Sequence, residues 1–248
     1  MSEPGSLKYA AVSGAAQGIG AAVVSALSRE GWRIAAIDRD EELASRVVKA
    51  AGEGHIVVKA DVTDEQQVVA AFREIAAHFP RLDALAACVG VVDATPLLDL
   101  TPEIFVDLYR VNVVGAFLCI REAVKLMPAG GRICTMSSVA ALRGGGIFGT
   151  AAYAASKSAV LGLTKTAARE LAKRSIAINC IVPGPTDTQM LQRYWHEPVL
   201  RERVLNLIPL QRPGQPDEIA ATAAWLLSPA ASYITGATIV ADGGMTMY

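Results

Sequence analysis

Tyr153 and Lys157 stand four positions apart in the stretch Ala152-Tyr153-Ala154-Ala155-Ser156-Lys157. On a helix that spacing sets one side chain above the other on a single face. It holds an ammonium beside a phenol. A phenol alone titrates near about 10, too high for ready proton exchange at neutral pH. A fixed positive charge nearby favours the phenolate and lowers that value, so the pair has the makings of an acid/base. A tyrosine and a lysine also share helices by chance, and the spacing alone decides nothing. A second motif must place a reactant beside them.

That motif is the turn Ser13-Gly14-Ala15-Ala16-Gln17-Gly18-Ile19-Gly20. It follows an apolar run, Tyr9 to Val12, and precedes a helical pattern from Ile19 to Arg29. Strand, glycine turn and helix form the context that dinucleotide binding requires. Gly14 permits the tight turn, Gly18 lets backbone approach a pyrophosphate, and Gly20 lets helix and strand pack closely. Unpaired N–H groups at the helix start then face the phosphates, with Gln17 and Ile19 on the same turn. A second apolar run, Trp32 to Ile37, ends in Asp38, where an acid meets the adenosine ribose. A carboxylate there accepts hydrogen bonds from ribose hydroxyls and repels a 2′-phosphate, which favours NAD over NADP; Arg39 follows beside the same ribose.

These features closely resemble the short-chain dehydrogenase/reductase family. The resemblance rests on the Gly14/Gly18/Gly20 spacing, Ser138, the Tyr153/Lys157 pair and the stretch Pro183-Gly184-Pro185-Thr186-Asp187-Thr188. It extends to Asp61-Val62, Asn112, Tyr233-Ile234-Thr235-Gly236 and Asp242-Gly243-Gly244, from about Tyr9 to the C-terminus. It implies hydride transfer between a nicotinamide ring and an alcohol or ketone carbon. Tyr153 would exchange the proton, and Lys157 would lower the Tyr153 pKa and bond the nicotinamide ribose. Ser138 would donate to the carbonyl oxygen, and Asn112 would hold a water that relays protons to Lys157. Asp61 and Val62 match the adenine-contacting pair, Thr186 and Thr188 the pair at the nicotinamide amide. Gly90, Pro183 and Gly184 complete the cofactor wall. On the substrate side stand Ser138, Ala140, Arg143, Phe148, Tyr153 and Trp195.

The chain departs from the family pattern after the fourth strand, where Asn-Asn-Ala-Gly is usual and Ala87-Cys88-Val89-Gly90 stands here. The local hydrogen-bonding scheme must therefore differ.

Positioning these residues falls to a strand–helix alternation. Strands are expected over Tyr9–Ser13, Arg33–Asp38, His55–Ala60, Leu82–Val89, Arg132–Ser137, Ala177–Val182 and Thr238–Ala241. Their Val/Ile/Ala runs suit parallel strands buried on both faces. Helices are expected over Ile19–Glu30, Glu41–Ala51, Glu65–His78, Pro102–Met127, Ala152–Arg174 and Asp217–Leu227. Thr63 and Gln66 resemble a capping box. Right-handed crossovers give a single-domain, Rossmann-type, doubly wound parallel sheet of about seven strands flanked by helices. Residues 1–8 read as a flexible lead-in. The apolar, strand-free segment 183–216 corresponds in the family to a helical substrate lid.

With 248 residues, 52% of them hydrophobic, the chain can bury a sizeable core. No uncharged apolar run reaches the ~18 residues that span a membrane. The net charge of −1, without a basic cluster, argues against a nucleic-acid partner. Cys88, Cys119, Cys134 and Cys180 lack metal-ligand spacing and read as core residues in a reducing, cytoplasmic compartment. Pro102–Met127 and Ala152–Arg174 have apolar positions beyond what one sheet face needs; the resemblance implies that these helices pair across a dimer and that Ile239–Gly244 adds a second contact, giving a homotetramer. The leading expectation is an NAD-dependent secondary-alcohol dehydrogenase acting on a small, mainly apolar substrate. The alternative is a 3-oxoacyl-carrier-protein reductase using NADPH and a basic rim. A nucleotide-sensing protein that kept only the fold would typically lack the tyrosine or the lysine, and both are present.

Overall fold

Seven short apolar runs become β1 (Lys8–Ser13), β2 (Trp32–Asp38), β3 (Ile56–Lys59), β4 (Ala84–Ala87), β5 (Arg132–Met136), β6 (Ala177–Pro183) and β7 (Thr238–Ala241). In the computed structural model, which describes residues 7–145 and 149–247 and leaves the side chains of 193 and 194 aside, they form one sheet. Its order is β3-β2-β1-β4-β5-β6-β7 and every pairing is parallel. Strands buried on both faces need apolar side chains at successive positions. Ala10, Ala11 and Val12 accordingly have no exposed surface.

Helices cover both faces. On one, α1 (Gly18–Arg29), α2 (Glu41–Ala51) and α10 (Pro216–Leu227) pack around Val23, Leu27, Ile34 and Ile219. On the other, α3 (Glu65–His78), α5 (Gly115–Leu126) and α7 (Ala151–Leu171) enclose Phe72, Ile75, Leu85, Leu118 and Ile133. The chain leaves β1 toward β2 on one side and later enters β4 on the other. A crevice opens at that switch, above the carboxyl ends of the strands.

Two local differences from the sequence expectations have physical causes. The α3 cap is Asp64, whose carboxylate accepts from the amides of Gln66 and Gln67 at 2.9 and 3.2 Å. Thr63 is unavailable because its hydroxyl donates to Asp61 at 2.8 Å. The helix expected over Pro102–Met127 is three segments: α4 (Pro102–Tyr109), a π turn over Arg110–Val114, and α5. Gly115 N–H bonds the carbonyl of Arg110, five residues back, in place of the usual four. The segment 183–216 is helical as expected and holds α8 (Gln189–Trp195) and α9 (Pro198–Asn206). Its neck is closed by Asp187 N–H to Gly214 carbonyl at 2.8 Å and Gly214 N–H to Pro185 carbonyl at 2.9 Å. No helix among the described residues is long and apolar enough to cross a membrane.

Candidate active site

The crevice is a cleft of about 350 Å³ into which the loops after the first six strands converge. At its floor the glycine turn leaves β1. Gly14 adopts a positive φ of 70°, and a Cβ there would lie 2.9 Å from the amide nitrogen of Val89. A Cβ on Gly20 would lie 1.9 Å from the carbonyl oxygen of Gly14, so this glycine packs the helix against the turn itself. Gln17 caps α1 without a side-chain bond and no acid sits in the first turn. The leading amides of α1 therefore keep their donors and partial positive charge for an anion. Gly18 faces the segment 183–216 across the cleft, its absent Cβ 3.3 Å from Thr188 Cγ2.

Asp38 closes β2 at one end of the cleft. Its carboxylate accepts from Ala16 N–H and from Asp40 N–H, each at 3.0 Å, which fixes it against the glycine turn. Arg39, Asp61 and Val62 line the same end. Asp61 spends one carboxylate oxygen on the amide and hydroxyl of Thr63. Val62 rests against Gly115, where a Cβ would come within 2.6 Å of it.

At the other end α7 presents Tyr153 and Lys157 side by side, both buried. Lys157 Nζ lies 6.0 Å from the Tyr153 ring centroid and donates to the Met136 carbonyl at 3.1 Å. It also sits against Gly90, where a Cβ would be 2.9 Å away. Burial dominates the electrostatics of both. It pushes the Lys157 ammonium down to about 8 and the Tyr153 phenol above its ordinary value, while the Ser138 hydroxyl works to lower the phenol. Desolvation, the larger effect on each group, works against both charged forms.

Asn112 stands behind these groups, not on the cleft wall. Its Oδ1 accepts from Val91 N–H at 2.8 Å, and its Nδ2 donates to the Val91 carbonyl and to Ser156 Oγ, both at 3.0 Å. Ser156 in turn donates to the Tyr153 carbonyl at 2.8 Å. The asparagine therefore ties the loop after β4 to α7. Where the family's asparagines are missing, the backbone braces the sheet, Cys88 N–H donating to the Ser13 carbonyl at 3.0 Å. Burial raises the Cys88 thiol to about 12 and keeps it protonated.

Ser138, Ala140 and Arg143 line the cleft beside Tyr153, as do Gly90, Pro183, Gly184, Thr186 and Thr188. Phe148 lies outside the described residues. Trp195, expected on the substrate side, is not among the residues lining the cleft. It packs with Val139, Val204 and Met245, and the Arg201 guanidinium lies 5.6 Å from its ring centroid. Gln189, Met190 and Leu191 occupy the wall in its place. Ser137, beside Ser138 in sequence, has a different part: its hydroxyl donates to the Lys157 carbonyl, a bond that only the fold reveals.

Residues 14–246 match the family model described as enoyl-(acyl carrier protein) reductase. The chain is 38% identical over 246 residues to the 3-oxoacyl-[acyl-carrier-protein] reductase FabG of Staphylococcus aureus, covering 97% of this chain and 98% of that one. The chain belongs to the short-chain dehydrogenase/reductase family. Another relative of the dehydrogenase/reductase is the uncharacterized oxidoreductase YgfF of Escherichia coli, 39% identical over 249 residues, with 96% and 100% of the two chains covered. A short-chain dehydrogenase/reductase from Serratia marcescens has the same fold at a TM-score of 0.90 and 36% identity, over 97% of this chain and 98% of that one. The crystal structure of gox2181 aligns at a TM-score of 0.93 and 30% identity, over 97% and 96%.

Membership makes this short-chain dehydrogenase/reductase an oxidoreductase of CH–OH and keto groups that binds a nicotinamide cofactor. The cleft fits such a group. Its glycine turn admits no Cβ at Gly14 or Gly20, the α1 amides have no side-chain cap, and a carboxylate is held at the end of β2.

Proposed function

We propose that this protein is an NAD(H)-dependent oxidoreductase that interconverts a secondary alcohol and a ketone on a small, mainly apolar substrate. The observation that carries the cofactor choice is Asp38, fixed by two backbone amides at the adenosine end of the cleft. A negative charge there accepts from ribose hydroxyls and repels a 2′-phosphate. Gly14, Gly18, Gly20 and the start of α1 hold the pyrophosphate, with Gln17 and Ile19 alongside. Arg39, Asp61 and Val62 surround the adenosine, and Gly90, Pro183, Gly184, Thr186 and Thr188 the nicotinamide.

A bound nicotinamide ring supplies the hydride acceptor or donor. In oxidation the Tyr153 phenolate takes the hydroxyl proton; in reduction Tyr153 returns it. Lys157 stabilises the phenolate, and the positive charge of an oxidised ring adds to that effect. Ser138 donates to the substrate oxygen, where negative charge gathers, a contribution of about 10²–10³ in turnover for a well-placed donor. Asn112 holds Val91 and α7 in register, and a water held by it would relay protons toward Lys157. Val91, Val92, Ala140, Met190 and Leu191 give the substrate end its apolar character. Arg143, which has no salt-bridge partner among the described residues, pairs with an anionic substituent where one is present.

A second reading is favoured by the relatives named as 3-oxoacyl-carrier-protein reductases. In that case the enzyme reduces a 3-oxoacyl thioester with NADPH. Absorbance of the reduced nicotinamide separates the two. Turnover of secondary alcohols with NAD, abolished in Tyr153→Phe and shifted toward NADP in Asp38→Ser, supports the first. Turnover confined to NADPH and 3-oxoacyl thioesters overturns it. A homotetramer is part of the proposal, and a monomer by light scattering at micromolar concentration contradicts that part.

A further inference from the structure

The lid is anchored at both ends to a single short segment near the C-terminus. At its first hinge, Gly184 N–H donates to the Ala241 carbonyl at 2.9 Å, and a Cβ on Gly184 would lie 2.7 Å from Asp242 Cα. At its far end, Leu210 N–H donates to the Gly243 carbonyl at 3.2 Å. Ile208 and Pro209 lie directly on Gly243 and Gly244, whose missing Cβ atoms would be 2.8 and 3.0 Å from them. Both glycines have positive φ, 66° and 88°, which an L side chain would strain. Just past the anchors, Met245 is buried with Val204, Ile208 and Trp195 of the lid and with Val139, the residue after Ser138.

One carboxylate shapes this segment. Asp242 Oδ1 accepts from Gly244 N–H at 2.9 Å, and its Oδ2 accepts from the amide and hydroxyl of Thr246 at 2.7 and 2.6 Å. Three bonds to an ionised acceptor over five residues define a tight turn and aim Met245 inward. We infer that Asp242 is a positioning residue for substrate: the turn it closes is the seat of the lid and sets where Met190 and Leu191 stand over Ser138 and Tyr153. Asp242 does not line the cleft. Its effect reaches the cleft through Gly184 at one end and through Met245 and Val139 at the other. The inference rests on reading 183–216 as a substrate lid.

Amide hydrogen exchange of the full chain tests the mechanical part without a substrate. Asp242→Ala should speed exchange over 189–206 at least tenfold and leave 151–171 unchanged. Thr246→Val, which removes only the hydroxyl donor, should do so about threefold, and Thr246→Ser should match the wild type. Unchanged lid exchange in a folded Asp242→Ala protein overturns the inference, as does equal acceleration in 151–171. Should Asp242→Ala fail to fold, the Thr246→Val and Thr246→Ser pair decides by the same criteria. With the best secondary alcohol from the turnover panel, Asp242→Ala should raise KM about tenfold and change kcat less than threefold. Faster lid exchange with an unchanged KM would sink the lid reading itself and leave the mechanical link standing. A kcat loss with KM unchanged would overturn the assignment to substrate positioning.

Discussion

The Ser137 hydroxyl donates to the main-chain carbonyl of Lys157 at 2.7 Å, a bond from the residue just past β5 into the second turn of α7. The same lysine returns its ammonium to the carbonyl of Met136 at 3.1 Å. Backbone and side chain of one residue are thus tied to consecutive residues at the exit of one strand. The height of α7 over the sheet, and with it the place of Tyr153, depends on this double tie.

Replacing Ser137 with Ala leaves that helix carbonyl short of a partner and should cost about 1 kcal/mol of stability. The expected fall in kcat is about three- to tenfold. Ser138→Ala should lower kcat about a hundredfold or more and leave the melting temperature almost unmoved. Thermal melts and turnover on both variants check the division. It fails if the two are indistinguishable.

Lys157 is held at a cost to the fold. Its ammonium is buried and pushed down to about 8 from an ordinary 10.5. That corresponds to roughly 3 kcal/mol against the charged form at pH 7. Lys157→Met removes the charge and one hydrogen bond worth about 1 kcal/mol. The cofactor-free variant should gain about 1–2 kcal/mol, a few degrees in melting temperature for a chain of this length, and lose turnover. The sign follows from linkage. The unfolded chain holds the lysine proton more tightly than the folded one, so this group's contribution is full above about 10.5 and is lost as pH falls through about 8. A lower melting temperature for the variant at pH 7 would refute the account.

Gly90 leaves the space that the Lys157 ammonium fills. Alanine there would place its Cβ 2.9 Å from Nζ. The lysine would be displaced, and turnover should fall at least tenfold while the fold survives. Unaltered kinetics in Gly90→Ala would show that the lysine has room to move.

His55 makes the protein sensitive to acid far from the cleft. Its Nδ1 accepts from Ile34 N–H at 3.2 Å, so Nε2 carries the hydrogen toward Ser28 Oγ at 3.1 Å, and Ser28 donates to the Ala51 carbonyl at 2.7 Å. A protonated ring cannot accept from Ile34. Burial lowers the His55 pKa most, Arg33 lowers it further, and the Ala51 carbonyl opposes them. The unfolded chain therefore takes up a proton that the folded one resists. The contribution is full above about 6.5 and is lost as pH falls below it. The urea midpoint should drop between pH 7 and 5, and less in His55→Asn. Parallel curves would exclude His55 as the cause.

The sheet, the glycine turn and the placing of Asp38, Ser138, Tyr153 and Lys157 along one cleft were legible because each depends on local pattern or fixed spacing. What escaped depends on partners remote in sequence. Trp195 has the character of a pocket residue, yet it buries against Met245, fifty residues on. Four-residue spacing reports that Tyr153 and Lys157 are near one another, but not that both lose their water. Thr63 looks like a cap until Asp61 takes its hydroxyl. The π turn left no sign in the apolar periodicity, because the clamp of Asn112 on Val91 accompanies it.

That turn carries one residue more than an α-helical turn between Arg110 and Gly115. Deleting a single valine there would close the ladder to plain α-helix and leave α4 and α5 in the phases they now hold. Gly115 would keep its seat on Val62 and Leu118 its place in the core. The loss would fall on the turn itself, where Asn112 holds Val91.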